Sequence, residues 1–358
     1  MISIIGGGPV GSYLASLLAP KRQVAVFEEH DAVGLPVQCT GITTQALAKV
    51  LNIRRQFLVN KVTASKIFAP NGKHIHVKLK NPNFIIDRTK FDRYVAEKAQ
   101  EKGVKYYLGH KYKNCTRKNG KFELHFQDKH KPFQTDILVG ADGPFSPVAK
   151  TTGLWKNRKM AVGVQARMSV DADPQTVEFY VGKGYFAWVV PESDKVGRVG
   201  TISYAKPNDV FKSFLKRRRL ERCKIREYQS GVVPLHDPKI KTQGKNVYLV
   251  GDAATQVKAT TFGGIVQGMM AAEELSKAIL HNRNYEKLWK KRIGRDLRVG
   301  LMMRKKMDKF TDKKYNKLVN LFTQERVRKV LEKRDRDYPT KLMLELLVKE
   351  PRILGLLF

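Results

Sequence analysis

The sequence predicts an α/β fold: a parallel-sheet domain, an antiparallel sheet inserted into it, and a C-terminal helical segment. Three observations predict it. A short apolar run, Ile2 to Ile5, leads straight into Gly6-Gly7-Gly8-Pro9-Val10-Gly11. Two later β-type runs, Ile137 to Gly143 and Val247 to Ala254, each end in an acid beside a glycine. Between them, roughly residues 155 to 240 alternate β-rich segments with polar turns, and from about residue 281 the chain turns helical and basic.

The first element is read as a buried strand closed by a glycine turn. Gly6, Gly8 and Gly11 have the G-x-G-x-x-G spacing, and Ser12 to Leu18 continues as a helix. Val24 to Phe27 is a second strand, with Glu28 at its tip. Strand, glycine turn, helix, strand and acid together form a Rossmann-type dinucleotide fingerprint. Glycine lets the backbone approach a pyrophosphate, the helix N-terminus offers free N–H groups, and Glu28 can accept hydrogen bonds from a ribose.

Val37-Gln38-Cys39-Thr40-Gly41 comes next. A cysteine placed there can be a buried filler, a redox thiol, a metal ligand or a proton donor. Val62 to Phe68 and Ile75 to Leu79 flank Pro70-Asn71-Gly72 and predict a hairpin. Thr89 opens a helix with Asp92 as its capping-box acid, Phe91, Val95, Ala96 and Ala99 on its apolar face, and Gly103 after its end. Arg88, just before it, serves either a surface ion pair or a phosphate or flavin contact. The expected domains are 1–60, 85–154 and 241–280 for the nucleotide, 61–84 and 155–240 for the substrate, and 281–358 as the helical segment.

The 358 residues carry 68 Lys plus Arg against 33 Asp plus Glu, a formal charge of +35. Such an excess favours an anionic partner, whether a membrane surface, nucleic acid or a phosphorylated ligand, or else a solvated lysine-rich surface. Cys39, Cys115 and Cys223 are widely spaced, form no CxxC pair, and fit a reducing cytoplasm; no Cys/His cluster has zinc spacing. No basic and apolar leader opens the chain, and no apolar run approaches the ~20 residues of a bilayer span. In the C-terminal segment Ile293, Leu297 and Leu301 recur four apart. That pattern predicts helices packed on the core, or an interfacial module with its lysines on anionic head groups.

The glycine fingerprint, Asp142-Gly143 and Asp252 within VGDAA resemble the FAD-dependent hydroxylase-type flavoproteins. Within that family the chain most resembles the archaeal geranylgeranyl reductases. Pro36 to Gly41, Phe186 to Pro191 and Gly251 to Ile265 carry the likeness. It departs from the family's Y-x-W-x-F-P segment, whose aromatic falls on Phe186 with Tyr185 one place early and whose second aromatic becomes Val190. The resemblance implies FAD contacts at Gly6, Gly8, the Val10 backbone, Gly11, Glu28, Cys39, Thr40, Gly41, Arg88, the Tyr112 backbone, Asp252, Gly263, Gly264 and Ile265. The turn before the apolar helix from Ile265 also suits the flavin N1–C2=O edge on physical grounds, because a helix N-terminus stabilises developing negative charge.

The implied reaction saturates the isolated alkenes of geranylgeranyl chains in archaeal-type glycerophospholipids at the membrane face. It needs an apolar tunnel, for which Tyr185, Phe186 and Trp188 are candidate walls, and a proton source, for which Cys39 is the candidate. The electron donor stays open among NAD(P)H, ferredoxin and another carrier protein. The alternatives on this fold are an oxygen-dependent monooxygenase or halogenase, an RNA-modifying flavoprotein, and an electron carrier to a quinone. No RNA-binding motif is present, so no nucleic-acid partner is expected, and no iron–sulfur cysteine set supports the carrier. The expected location is the cytoplasm, peripherally on the membrane.

Overall fold

In the computed structural model, which describes residues 1–357, strand β1 (Ile2–Ile5) is buried at every position, as a central parallel strand requires. Helix α1 (Pro9–Leu18), β2 (Val24–Phe27), β3 (Ile42–Thr43), α2 (Gln45–Ala48) and the long hairpin β4 (Leu58–Phe68) and β5 (His74–Ile86) follow. Then come α3 (Arg88–Gln100), β6 (Lys105–Tyr107), the meander β7 (Tyr112–Lys118), β8 (Lys121–Phe126) and β9 (Phe133–Thr135), β10 (Ile137–Gly140) and α4 (Pro147–Thr151). Strands β11 (Met160–Ser169), β12 (Thr176–Gly182), β13 (Tyr185–Pro191) and β14 (Val196–Ser203) precede α5 (Pro207–Arg217) and β15 (Ile225–Pro234). After β16 (Gln243–Gly244) and β17 (Val247–Leu249) the chain is helical: α6 (Ile265–Leu280), α7 (Tyr285–Trp289), α8 (Arg295–Met307), α9 (Asp312–Phe322), α10 (Glu325–Lys333), α11 (Pro339–Lys349) and α12 (Arg352–Leu357).

The chain divides into two units. The first comprises residues 1–36, 88–159 and 234–298. Its sheet has the order β16-β17-β10-β1-β2-β6, and the β1, β2, β6, β10 and β17 pairs are parallel. The β7-β8-β9 meander buries Phe122, Leu124 and Phe126 against Phe27, Leu138 and Leu249. Gly268 brings α6 against α1: a Cβ there would lie 2.6 Å from Val10 Cγ2. In α3 the sequence suggests that Asp92 closes a capping box. Its carboxylate takes two hydrogen bonds from Arg88, one turn back, at 3.0 and 2.7 Å.

The second unit comprises residues 37–87, 160–233 and 299–358. Its eight-stranded sheet has the order β15-β11-β14-β13-β12-β4-β5-β3. The β4/β5 hairpin is joined to the later strands by the parallel β12–β4 pairing, so the sheet is mixed rather than purely antiparallel. On one face Ala166, Tyr180, Val189 and Val199 pack against Phe211 and Phe214 of α5. On the other, Ile67 and Val181 pack against Val319, Phe322 and Leu331 of the C-terminal helices. These boundaries differ from the expected ones. Residues 37–60 group with the second unit because β3 and β4 pair with β5, and the C-terminal segment is shared, the division falling within α8.

Candidate functional site

In the first unit, the fingerprint glycines differ in what they permit. Gly6 has φ +105°, and a Cβ on it would sit 2.3 Å from the Ala141 carbonyl oxygen. A Cβ at Gly11 would lie 2.1 Å from the Gly6 carbonyl oxygen. Gly8, the N-cap of α1, faces open space with nothing within 4 Å, and no side chain caps the helix. Free N–H groups therefore meet an empty approach, as a pyrophosphate site requires. Glu28 is buried at the tip of β2, where it accepts the Gly7 N–H at 2.7 Å and the His30 N–H at 3.1 Å. It is thus fixed by the glycine turn it was expected to serve and by the His30 ring, whose Nδ1 lies 2.6 Å from its Oε1.

The two acid–glycine turns serve different ends. Asp142 accepts the Ser146 hydroxyl at 2.6 Å and the Val148 N–H at 2.8 Å, and so caps α4. Burial raises its pKa to about 6 despite those bonds. Asp252 is also raised to about 6 by burial, opposed by the charges of Arg88 and Arg158. Its carboxylate has no hydrogen-bond donor among the described residues. It lies against the N-terminus of α6, where a Cβ on Gly264 would be 2.8 Å from its Oδ1. Gly264 is the N-cap of α6, Ile265 its first residue, and no side chain caps it. Gly263 closes the preceding turn, its carbonyl accepting the Lys258 N–H at 3.1 Å. Tyr112 is buried in β7 and shares a 2.9 Å hydrogen bond with Thr151, and burial raises its pKa.

Arg158 has no motif around it and was missed. Its Nη1 donates to the carbonyls of Asp252 and Ala253 at 3.3 and 2.9 Å, while its Nη2 is buried without a partner. The neighbouring Trp155, 4.2 Å from the guanidinium, was the one available signal.

In the second unit, Thr40 and Gly41 are held against the sheet face opposite α5. Buried Arg198 of β14 donates to the Thr40 carbonyl at 2.5 Å, the Ile86 carbonyl at 2.8 Å and Glu192 at 2.8 Å. Gly41 has φ +75°, and a Cβ there would strike the Ile86 carbonyl at 2.4 Å. The Thr40 hydroxyl donates to Gln165 at 2.8 Å, and the Trp188 indole N–H reaches the same oxygen at 3.2 Å. Cys39 is half-buried, and its Sγ accepts the Gly41 N–H at 3.4 Å.

Strand register aligns this face. Phe179 opposes Trp188, Trp188 opposes Gly200, and Gly200 opposes Gln165, one row across four strands. A Cβ at Gly200 would lie 2.5 Å from the Trp188 ring, so the glycine makes room for the indole to lie flat across the sheet. Phe186 stacks on Phe179 with centroids 5.5 Å apart and lies 6.1 Å from Trp188. Tyr185 does not join them. It packs with the α5 side of the sheet and accepts a hydrogen bond from Arg217. Adjacent strand residues point to opposite faces, so Tyr185 and Phe186 cannot line one wall. Gln165 and Arg198 were missed, and Gly200 was noticed only as a glycine spaced differently from the family's G-x-G. The signal was an arginine between glycines in Val196-Gly197-Arg198-Val199-Gly200.

The FAD binding domain family matches residues 1–229. The chain belongs to this family. An uncharacterized protein of Methanocaldococcus jannaschii is 30% identical over 89% of this chain and 87% of its own. The digeranylgeranylglycerophospholipid reductase 2 of Methanothermobacter thermautotrophicus is 27% identical over 89% of this chain and 90% of its own. Among solved structures, a geranylgeranyl bacteriochlorophyll reductase-like protein of Thermoplasma acidophilum superposes with TM-score 0.86 at 23% identity, covering 100% of this chain and 98% of that one. A flavin-dependent brominase shares the fold at TM-score 0.75 and 14% identity, covering 99% and 98%. The resemblance to archaeal geranylgeranyl reductases thus extends along most of the chain, and FAD is the cofactor of this FAD-binding-domain protein. Its first unit fits the group: open N–H donors at Gly8, an enclosed carboxylate without a donor at Asp252, and an orphaned Arg158 nitrogen.

Proposed function

We propose that the protein saturates the alkenes of geranylgeranyl chains in archaeal-type membrane glycerophospholipids. The observation that carries this reading is the Phe179–Trp188–Gly200–Gln165 row, an aromatic floor that ends at the Thr40 hydroxyl. The names of relatives aligned over about nine tenths of the chain support it. An isolated alkene has no carbonyl to polarise it, so it must be held in an apolar, water-poor place while hydride and proton arrive on adjacent carbons. FAD, when bound and reduced, supplies the hydride. The chain supplies the surface and the proton.

Phe179, Phe186 and Trp188 give the prenyl chain an apolar bed, and Gly200 keeps it flat. Thr40 is committed as a donor to Gln165, so its hydrogen is not free for transfer. The Cys39 thiol is half-buried, and its sulfur receives the Gly41 N–H, which holds the side chain in the turn. We assign the proton to Cys39 on that basis. The FAD contacts of the reading are Gly6, Gly8, Val10, Gly11, Glu28, Arg88, Tyr112, Asp252, Gly263, Gly264 and Ile265, with the Cys39–Gly41 turn.

The reading extends to peripheral membrane association. In α11 and α12, Leu344, Val348 and Leu354 are 54%, 77% and 48% exposed, with Lys341 and Lys349 exposed beside them. No helix among the described residues is long and apolar enough to cross a membrane. An apolar stripe with flanking lysines suits an anionic lipid surface.

The test is anaerobic. The yellow protein is reduced with dithionite and given a geranylgeranylated glycerophospholipid. Reoxidation of the flavin together with a gain of two hydrogens per alkene is the expected outcome. A flavin that stays reduced until air is admitted overturns the reading and puts an oxygen-dependent reaction in its place.

A further inference from the structure

Arg336 lies at the Phe179 end of the aromatic row, in the turn between α10 and α11. Its guanidinium is densely surrounded by protein, and its side chain stays partly accessible. The guanidinium carbon is 5.9 Å from the centroid of the Phe179 ring. Among the described residues no hydrogen bond, and no ion pair within 4.0 Å, reaches it.

Its flanking acids, Asp335 and Asp337, act on it by charge but are bonded elsewhere. The Asp337 carboxylate accepts the Thr44 hydroxyl, and the Asp335 carboxylate accepts the Asp337 N–H at 2.8 Å. The Thr44 bond, from the N-cap of α2, also fixes the turn in place. Nearby, Lys49 holds its Nζ 5.3 Å from the ring centroid of Tyr338, two residues beyond Arg336.

A guanidinium has five N–H donors in a planar fork and does not lose its charge. With no acceptor among the described residues, its donors stay available to an incoming anion. The group that matches the fork in two places is a carboxylate or a phosphate, and the apolar ground beside it selects one attached to a hydrocarbon chain. We propose that Arg336 receives the phosphate group of the prenyl substrate, with Phe179 and Phe186 taking the hydrocarbon next to it. The inference rests on the prenyl-lipid reading above and adds a polar anchor to it. Two sources share this chemistry, the phosphodiester of a glycerophospholipid and the diphosphate of a free prenyl alcohol.

Binding to the oxidised FAD-loaded protein tests it without turnover, by tryptophan fluorescence or calorimetry. The probes are a geranylgeranylated glycerophospholipid, geranylgeranyl diphosphate and geranylgeraniol. The wild type is expected to bind at least one phosphorylated probe about tenfold or more tighter than the alcohol. Whichever probe shows the preference identifies the source. Arg336→Gln is expected to erase the preference and leave the affinity for geranylgeraniol unchanged, while Arg336→Lys restores part of it. FAD retention and an unchanged melting temperature check that each variant is folded.

Equal wild-type affinity for all three probes overturns the proposal and leaves the prenyl reading standing. So does a full phosphate preference in folded Arg336→Gln. Binding of none of the three overturns both. The wild-type comparison needs no variant, so a misfolded Arg336→Gln does not shelter the proposal.

Discussion

At Asp252 the burial of a single carboxylate has a sign that can be followed with pH. Its folded pKa, about 6, lies above the ordinary aspartate value of 3.8. The folded protein therefore binds more protons than the unfolded chain between those values, and stability falls as pH rises through that window. Above about pH 6 the penalty is fully present, and Asp142 adds to it in the same direction. Asp252→Asn is expected to stabilise the FAD-free protein at pH 7 by on the order of 1–3 kcal/mol, and to flatten its melting temperature between pH 4 and 7. The same variant should release FAD more readily on gel filtration, since an amide is a weaker partner for a hydroxyl donor. Gly200→Ala tests the floor of the row: the added methyl has to displace the Trp188 ring, at a cost of about 1–3 kcal/mol in a denaturant melt. Cys39→Ser should keep FAD and prenyl binding but slow anaerobic reoxidation at least about tenfold, because a hydroxyl gives up its proton far less readily.

The elements show which features were legible. Strands β1 and β2 and helix α1 announce themselves by position: an apolar run, a glycine turn and small residues fall in one short stretch, and no tertiary partner has to be known. The hairpin was legible for the same reason, although β4 and β5 run well past the predicted 62–68 and 75–79 because pairing continues past a bulge. Arg198, Gln165 and Arg336 were not legible. Each matters through a partner far away in the chain, Thr40 or Phe179, and an arginine between glycines marks Arg198 without saying which partner it meets. Tyr185 shows the reverse failure, where a motif match ignored the two-residue alternation of a strand. In α11, residues 341, 344 and 348 share one face by helical spacing, and Leu344 and Val348 there are exposed. Leu344→Asp with Val348→Asp is expected to lower binding to anionic vesicles by about tenfold or more in a flotation assay, with the melting temperature unchanged. Equal flotation of variant and wild type would remove α11 from the membrane face.

For the whole molecule, the formal charge of +35 sets the long-range behaviour. Association with vesicles containing phosphatidylglycerol should weaken steeply between about 50 and 500 mM salt, as screening shortens the Debye length. Neutral vesicles should show little dependence. Few of the basic residues are tied up at the aromatic row, which is why charge alone pointed to an anionic partner without saying where it binds. The opening strand–turn–helix–strand, the hairpin, α3 and the helical end were readable from the sequence, whereas the β7–β9 meander and α5 were not. The division into units was not, because it depends on which strands pair, and β4 pairs with a strand more than a hundred residues later.

That pairing has a consequence for how the protein is made. The second unit is assembled from three separate stretches, the last being 299–358. During synthesis, β4 and β5 wait through some 90 residues before β12 emerges, and the apolar side of Ile67 and Val181 stays uncovered until α9 and α10 follow. At about 5–20 residues per second, the final stretch alone takes several seconds. The nascent chain thus carries an unfinished sheet with a bare greasy flank for much of its translation, which makes it a natural client for chaperones and gives early termination a higher cost than the loss of a few surface helices suggests.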